Sequence, residues 1–384
     1  MRPRRLAVCL LLAVSGSAAA QPARSPRARE LGVPFAFGAP GRENAITDVA
    51  GVLVGHTTLV EGDSVRTGVT AILPRGRGDA ARTPCFGAVF SLNGNGEMTG
   101  THWVRESGIV EGPIALTNTN AVGVVRDAII DYAARRWPPE GDGWTVWSLP
   151  IVAETWDGTL NDIYGHHVRA EHLAAAIDAA APGPVAEGAV GGGTGMICYE
   201  YKGGIGTASR VLAQASGGHT VGVLVQANHG LRHQLRIAGL PVGLELREGL
   251  VRKEDAGSII IVIGTDAPLL PHQLERLCRR AALGLARTGS VAGNGSGDIF
   301  IAFSTANSAI GETEGTVSLK MLPNERMGAL FEATVGATEE AIVNALVAGR
   351  TTVGFRGHMV AGLPLDRVRD ILKRHGLLEP TPRP

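Results

Sequence analysis

The run Ile259-Ile260-Ile261-Val262-Ile263 constrains this chain more than any other stretch. Apolar β-branched residues at successive positions leave no polar face, so the segment reads as a strand buried on both sides. A sheet covered on both faces needs layers above and below it, which points to a layered α/β domain. With 384 residues, 44% of them hydrophobic, the chain can build a substantial core. No composition break, long linker or internal repeat divides it, and a single domain over 44–384 is expected. The 53 glycines follow no collagen-like period, so they predict tight turns and close backbone approaches.

Further strands are predicted at 52–56, 66–74, 88–92, 114–117, 146–152, 220–225 and 299–305 from alternation and β-branched content. Helical spacing predicts helices near Trp103, over 122–134, over 171–181 and over 364–376. Another is expected to start at Thr265 or Asp266, ahead of Pro268, and to run through Leu285. Its Arg276, Arg279 and Arg280 read as a solvated face. A C-terminal helix over 338–346 is expected to be capped by Thr338, with Glu339 and Glu340 in its first turn.

Residues 1–20 have the layout of a secretory signal: Arg2, Arg4 and Arg5, an apolar segment over 6–14, and Ala18-Ala19-Ala20 before Gln21. No later apolar run reaches the ~18 residues of a spanning helix. A periplasmic or secreted protein without a membrane anchor is expected, with 21–43 as a loosely held arm. A formal net charge of zero argues against nucleic acid as a partner. Cys9 would leave with the signal. Cys85, Cys198 and Cys278 are widely spaced and lack a CxxC pair, so buried free thiols are expected. The 11 histidines show no zinc spacing, and neither a metal nor a cofactor is expected.

Several stretches carry chemistry. At Gly257-Ser258 the serine hydroxyl can attack the adjacent carbonyl. The peptide would shift to an ester, and water would release a chain beginning at Ser258. The freed α-amine has a pKa of ~7.7–8.0 and can act as base for its own hydroxyl. The same pair also reads as a turn feeding a core strand. Glu154 and Trp156 end a strand, either as the rim of a small-molecule pocket or as a cap and a core indole. Asn228 ends another, as an oxyanion donor or as a turn residue. Ser296 and Asp298 flank a glycine before a strand; alternation would put them on one face, where they could relay a proton, or they order an Asx turn. Gly191-Gly192-Gly193-Thr194-Gly195 lacks the lysine of a phosphate-binding loop and reads as backbone approaching a pocket.

In order along the chain, Asn44-Ala45-Ile46-Thr47-Asp48-Val49 through Thr70, Glu154 to Gly158, Val190 to Met196, Gly257-Ser258 with Thr265-Asp266-Ala267-Pro268, and Asn294 to Asp298 resemble the L-aminopeptidase/D-esterase family. That family includes the β-aminopeptidases. The resemblance implies a four-layer αββα sandwich, assembled like an N-terminal-nucleophile hydrolase with different connectivity. It implies a precursor that cuts itself into 21–257 and 258–384, with the two chains staying together, often as a tetramer of such pairs. By the same resemblance Ser258 is the nucleophile freed after Gly257, and Asn228 lines the oxyanion hole. Ser296 and Asp298 tune the nucleophile, while Glu154 receives the free amine of a small peptide, aminoacyl amide or ester. Some members carry tyrosine where Trp156 stands; the indole offers only an N–H, which leaves α- and β-amino substrates both open. Two rival readings are an ornithine-acetyltransferase-like acyltransferase and a two-lobed periplasmic solute-binding protein.

Overall fold

The computed structural model describes residues 26–78, 82–138, 148–252, 254, 257–312 and 314–379. The signal-like segment, part of the 138–143 loop, the start of the predicted 146–152 strand and the tail from Pro380 lie outside them. The strands are β1 (Leu53–Glu61), β2 (Val65–Leu73), β3 (Cys85–Gly94), β4 (Ile109–Val110), β5 (Ile114–Asn118), β6 (Ile151–Thr155), β7 (Ile197–Cys198), β8 (Tyr201–Lys202), β9 (Gly204–Val211), β10 (Thr220–Asn228), β11 (Ser258–Thr265), β12 (Gly297–Ser304), β13 (Thr352–Val353) and β14 (Met359–Val360). The helices are α1 (Thr101–Ser107), α2 (Val122–Arg136), α3 (Ala170–Ala179), α4 (Pro271–Arg287), α5 (Gly328–Ala348) and α6 (Leu365–Arg374).

Two sheets pack face to face. One has the order β1-β2-β5-β6 and the other β4-β3-β12-β11-β10-β9. Helices α2 and α3 cover the first; α4 and α5 cover the second. The result is the αββα sandwich. Alternation along β11 shows why its sequence is β-branched throughout. Ile259, Ile261 and Ile263 pack towards α4 and α5, while Ile260 and Val262 join the core between the sheets. β10 divides likewise: Val221, Val223 and Val225 face the helices, and Leu224 faces the other sheet.

This topology gathers strand ends at one edge. β11 and β12 run parallel, joined through α4, so Ser258 pairs with Gly297 at the start of both. β10 is antiparallel to β11 and ends with Asn228 opposite Ser258. β3 is antiparallel to β12 and brings Asn93 opposite Asp298, at a bulge. In the facing sheet β5 and β6 run parallel and finish at Asn118 and Thr155. Gln226 ties the two sheets together near this edge, its Nε2 donating to Thr117 O and Thr155 Oγ1, both at 2.9 Å.

Four expectations need correction. The C-terminal helix begins at Gly328, not Thr338, and Thr338, Glu339 and Glu340 are buried in its middle. The two glutamates, read as first-turn acids, form ion pairs instead, Glu339 with Arg287. Glu340 accepts from Arg29 Nε and Nη2 at 2.8 Å each and from Asn44 Nδ2 at 2.6 Å, and Arg210 Nη1 lies 2.9 Å away. These cations hold its carboxyl below the usual range, against the upward push of burial. The 21–43 arm is consequently not loose from residue 26 onward: Ala28 is buried, its N–H donating to Asn344 Oδ1 at 3.0 Å. Helix α4 starts at Pro271, because Thr265 still belongs to β11 and donates its hydroxyl to Thr220 O at 2.7 Å. On α4, Arg276 and Arg280 stack on Phe331 rather than standing free in solvent. Cys85, Cys198 and Cys278 are buried free thiols. Among the described residues no helix is long and apolar enough to cross a membrane, and no cluster suited to a metal ion occurs.

Candidate active site

Ser258 opens β11, 6% exposed, and its Oγ accepts from Gly297 N at 3.2 Å. Before it, Gly257 is pressed against the end of β10: a Cβ there would lie 1.9 Å from Asn228 O and 2.7 Å from His229 Cα. Only glycine fits. Across the parallel pair, Ser296 Oγ donates to Asp298 Oδ1 at 2.7 Å. The peptide that links Ser296 to Gly297 thus presents its N–H to the Ser258 oxygen, and Ser296 itself is bonded to a buried carboxylate. Asn93 and Asn95, ending β3, brace this loop by donating to Gly293 O at 2.6 Å and Gly295 O at 2.9 Å.

The Asn228 side chain is oriented from two sides. Its Oδ1 accepts from Ile197 N at 2.8 Å and from Arg252 Nη2 at 3.2 Å, which leaves Nδ2 to donate to Trp156 O at 2.9 Å. An amide nitrogen has two hydrogens, so a second N–H can serve a developing oxyanion. The Met196–Ile197 peptide that holds Asn228 is gripped at its carbonyl by Lys202 Nζ at 2.9 Å. Lys202 also donates to Gly193 O at 3.1 Å and Gly203 O at 2.8 Å, and burial pulls its ammonium down to about 7. The glycine-rich 191–195 stretch is therefore packing rather than pocket. A Cβ on Gly192 would meet Gln226 Oε1 at 2.2 Å, and one on Gly193 would meet Ile205 N at 2.4 Å.

Glu154, near the end of β6, is 3% exposed. Its Oε1 accepts from Glu97 N at 2.8 Å and its Oε2 from Thr119 Oγ1. No lysine, arginine or histidine among the described residues forms an ion pair with it. Burial pushes its carboxyl up, and the two hydrogen bonds only partly offset this. Gly96 packs between it and the start of β12: a Cβ on Gly96 would come within 3.3 Å of both Glu154 Oε1 and Gly297 Cα. The Trp156 ring lies against Gly158 and is 44% exposed, while its backbone carbonyl is what touches Asn228.

Ser258, Gly257, Asn228, Ser296, Asp298, Glu154 and Trp156 thus converge on one edge of the sandwich. Thr119, Asn93, Ile197, Lys202 and Arg252 escaped the sequence reading. Of these only Asn93 carried a signal, as the first residue of Asn93-Gly94-Asn95-Gly96. A cavity of about 470 Å³ lies at the opposite edge, near Leu73, Cys85 and Pro113, away from these residues.

A layered αββα body with a serine opening a central strand, beside an oriented amide and a buried carboxylate, defines a hydrolase of the N-terminal-nucleophile type. The model of peptidase family S58 matches residues 44–360, and the chain belongs to that family. It is 50% identical over 383 residues to the β-peptidyl aminopeptidase BapA of Sphingosinicella microcystinivorans, a match that spans 93% of this chain and 94% of that one. A solved Burkholderia sp. β-aminopeptidase is 52% identical, with a TM-score of 0.84 over 94% of this chain and 100% of that one. The L-aminopeptidase D-Ala-esterase/amidase of Ochrobactrum anthropi is 44% identical, with a TM-score of 0.85 over 92% and 99% of the two chains. It is described as a prototype for the serine aminopeptidases and a new variant of the Ntn-hydrolase fold. The chain is accordingly an aminopeptidase. The solute-binding and acyltransferase readings give way to membership in a peptidase family and to a single face-packed body.

Proposed function

We propose that this protein is an exported serine aminopeptidase that cuts itself between Gly257 and Ser258 and then releases N-terminal residues from small peptides, amides or esters. The observation that carries this reading is that Ser258, at the head of β11, shares one edge of the sandwich with Glu154, a buried carboxylate without a protein cation among the described residues, and that Gly96 packs between Glu154 and the Gly297 that bonds the Ser258 oxygen. Glu154 takes the ammonium of a free N-terminus, which fixes the first carbonyl near Ser258. The Ser258 hydroxyl attacks that carbonyl and gives its proton to the residue's own freed α-amine, with Ser296 and Asp298 stabilising the transfer. Asn228 Nδ2 receives the oxyanion. The leaving amine departs with a proton, and water resolves the acyl-enzyme. The substrates include N-terminal β-amino acids, a reading supported by the β-peptidyl aminopeptidase at 50% identity. The signal-like residues 1–20 support export, and the two chains are proposed to assemble into higher oligomers.

The test is a panel of L-, D- and β-aminoacyl p-nitroanilides, each with a free and an N-acetylated amine. Release from the free amines, with the acetylated partners inert, is the expected result. Equal release from both forms would remove Glu154 from its role.

A further inference from the structure

Val251 and Arg252, ahead of the Gly257–Ser258 bond, are gripped by a strained turn. Between β7 and β8, Tyr199 and Glu200 take φ of 49° and 61°, a left-handed conformation that residues with side chains adopt only when their surroundings enforce it. The enforcement is visible. Tyr199 N donates to His229 O at 2.7 Å, and Arg232 donates to Tyr199 O at 2.9 Å and Glu200 O at 2.8 Å. This turn aims the buried Glu200 carboxylate at backbone. Oε1 accepts from Val251 N at 2.8 Å and Arg252 N at 2.9 Å, and Oε2 from Arg232 N at 2.8 Å. Arg252 in turn reaches Asn228, donating to its backbone O at 3.3 Å and its Oδ1 at 3.2 Å. The same guanidinium borders Gly257, where a Cβ would stand 2.6 Å from Nη1.

We propose that Glu200 and Arg252 are positioning residues for self-cleavage: Glu200 holds the backbone of Val251 and Arg252, and the Arg252 guanidinium holds Gly257 against the oxyanion donor Asn228. The inference rests on the self-cleaving reading of Ser258. In that step the Ser258 oxygen bonds to the Gly257 carbonyl carbon and the C–N bond breaks. The hydroxyl proton goes to the departing α-amine, and one water then splits the ester into the Gly257 carboxylate and the free hydroxyl. An intramolecular attack of this kind depends on holding the carbonyl in line with the hydroxyl, and small misplacements cost large factors in rate. Turnover of substrate afterwards uses Ser258, Asn228 and Glu154, none of which Glu200 touches.

The full chain is synthesised in a cell-free system, and its splitting is followed on denaturing gels for wild type, Glu200→Gly and Arg252→Met. Glycine suits the left-handed backbone and so deletes the carboxylate without straining the turn. The half-time of cutting is expected to lengthen ~10- to 100-fold in both variants. The melting temperature of Glu200→Gly should fall, because the buried Arg232 N–H loses its acceptor, but its cut fraction should hydrolyse aminoacyl p-nitroanilides at the wild-type kcat. Cutting of Glu200→Gly at the wild-type rate overturns the clamp. So does an equal loss of cutting and kcat. A wild-type chain that never splits overturns the reading of Ser258 itself, and the clamp with it.

Discussion

Glu154 and Glu340 are both buried carboxylates, yet burial and partners leave them in opposite states. Glu340 sits on α5 with Arg29, Arg210 and Asn44 around it, and its acidity is strengthened although it is out of water. Glu154 has one peptide N–H and one hydroxyl, and its acidity is weakened. A buried charge without a counter-charge costs stability. The Glu340 cluster brings its cations with it and is complete, tying the N-terminal segment to α5. The Glu154 cluster lacks a cation, and a substrate ammonium would complete it. The same side chain thus holds the fold together in one place and, on the proposed reading, is reserved for a ligand in the other.

Swapping each carboxylate for its amide breaks or sharpens this contrast. Glu340→Gln should cost stability most, ~3–5 kcal/mol, since it leaves Arg210 buried beside a neutral group. A chemical or thermal melt measures it, and a loss under ~1 kcal/mol would mean the cluster is not the anchor described here. Asn228→Ala removes an oxyanion donor and should lower kcat ~10²- to 10³-fold with KM little changed. Glu154→Gln should lower kcat/KM ~10- to 100-fold for free-amine substrates, the worth of a charged hydrogen bond, without destabilising the fold. If it destabilised as much as Glu340→Gln, the two sites would be the same kind of structure.

The smallest effect is in pH dependence. Glu154 must be ionised to hold an ammonium. Its elevated pKa adds a step in kcat/KM above the ~4.3 of an ordinary glutamate, beside the limb that the Ser258 α-amine sets near ~7.7–8.0, and Glu154→Gln should remove that step alone. Glu340 shifts the other way. Its folded pKa lies below the unfolded value, so its stabilisation is complete above ~4.3 and is lost as pH falls through the depressed folded value. On acidification, activity should therefore fail before the fold does. Simultaneous loss of both would contradict the assignment.

Much of this site was legible in the sequence because its residues stand at strand ends, where β-branched runs stop and small or polar residues begin. Ser258 heads such a run, and Asn228 and Glu154 close two others. What the sequence could not show was partnership at long range. Glu340 looked like a first-turn acid because its cations, Arg29 and Arg210, lie far off in the chain. Glu200 carried no local signal, since its importance comes from a left-handed turn and from backbone groups at Val251 and Arg252. Thr119 bonds Glu154 only because β5 and β6 end side by side, which is a property of the sheet order. Spacing rules read neighbours along the chain, whereas these contacts arise from topology.

The most direct test of the central claim, that Ser258 becomes a chain terminus and then the nucleophile, is the intact mass of the purified wild type beside Ser258→Ala. The wild type should give two polypeptides, one ending at Gly257 and one beginning at Ser258, and should be active. The variant should give a single uncut chain without aminopeptidase activity. An uncut wild type that hydrolyses aminoacyl amides at full rate, or a variant still split at this bond, would contradict the account.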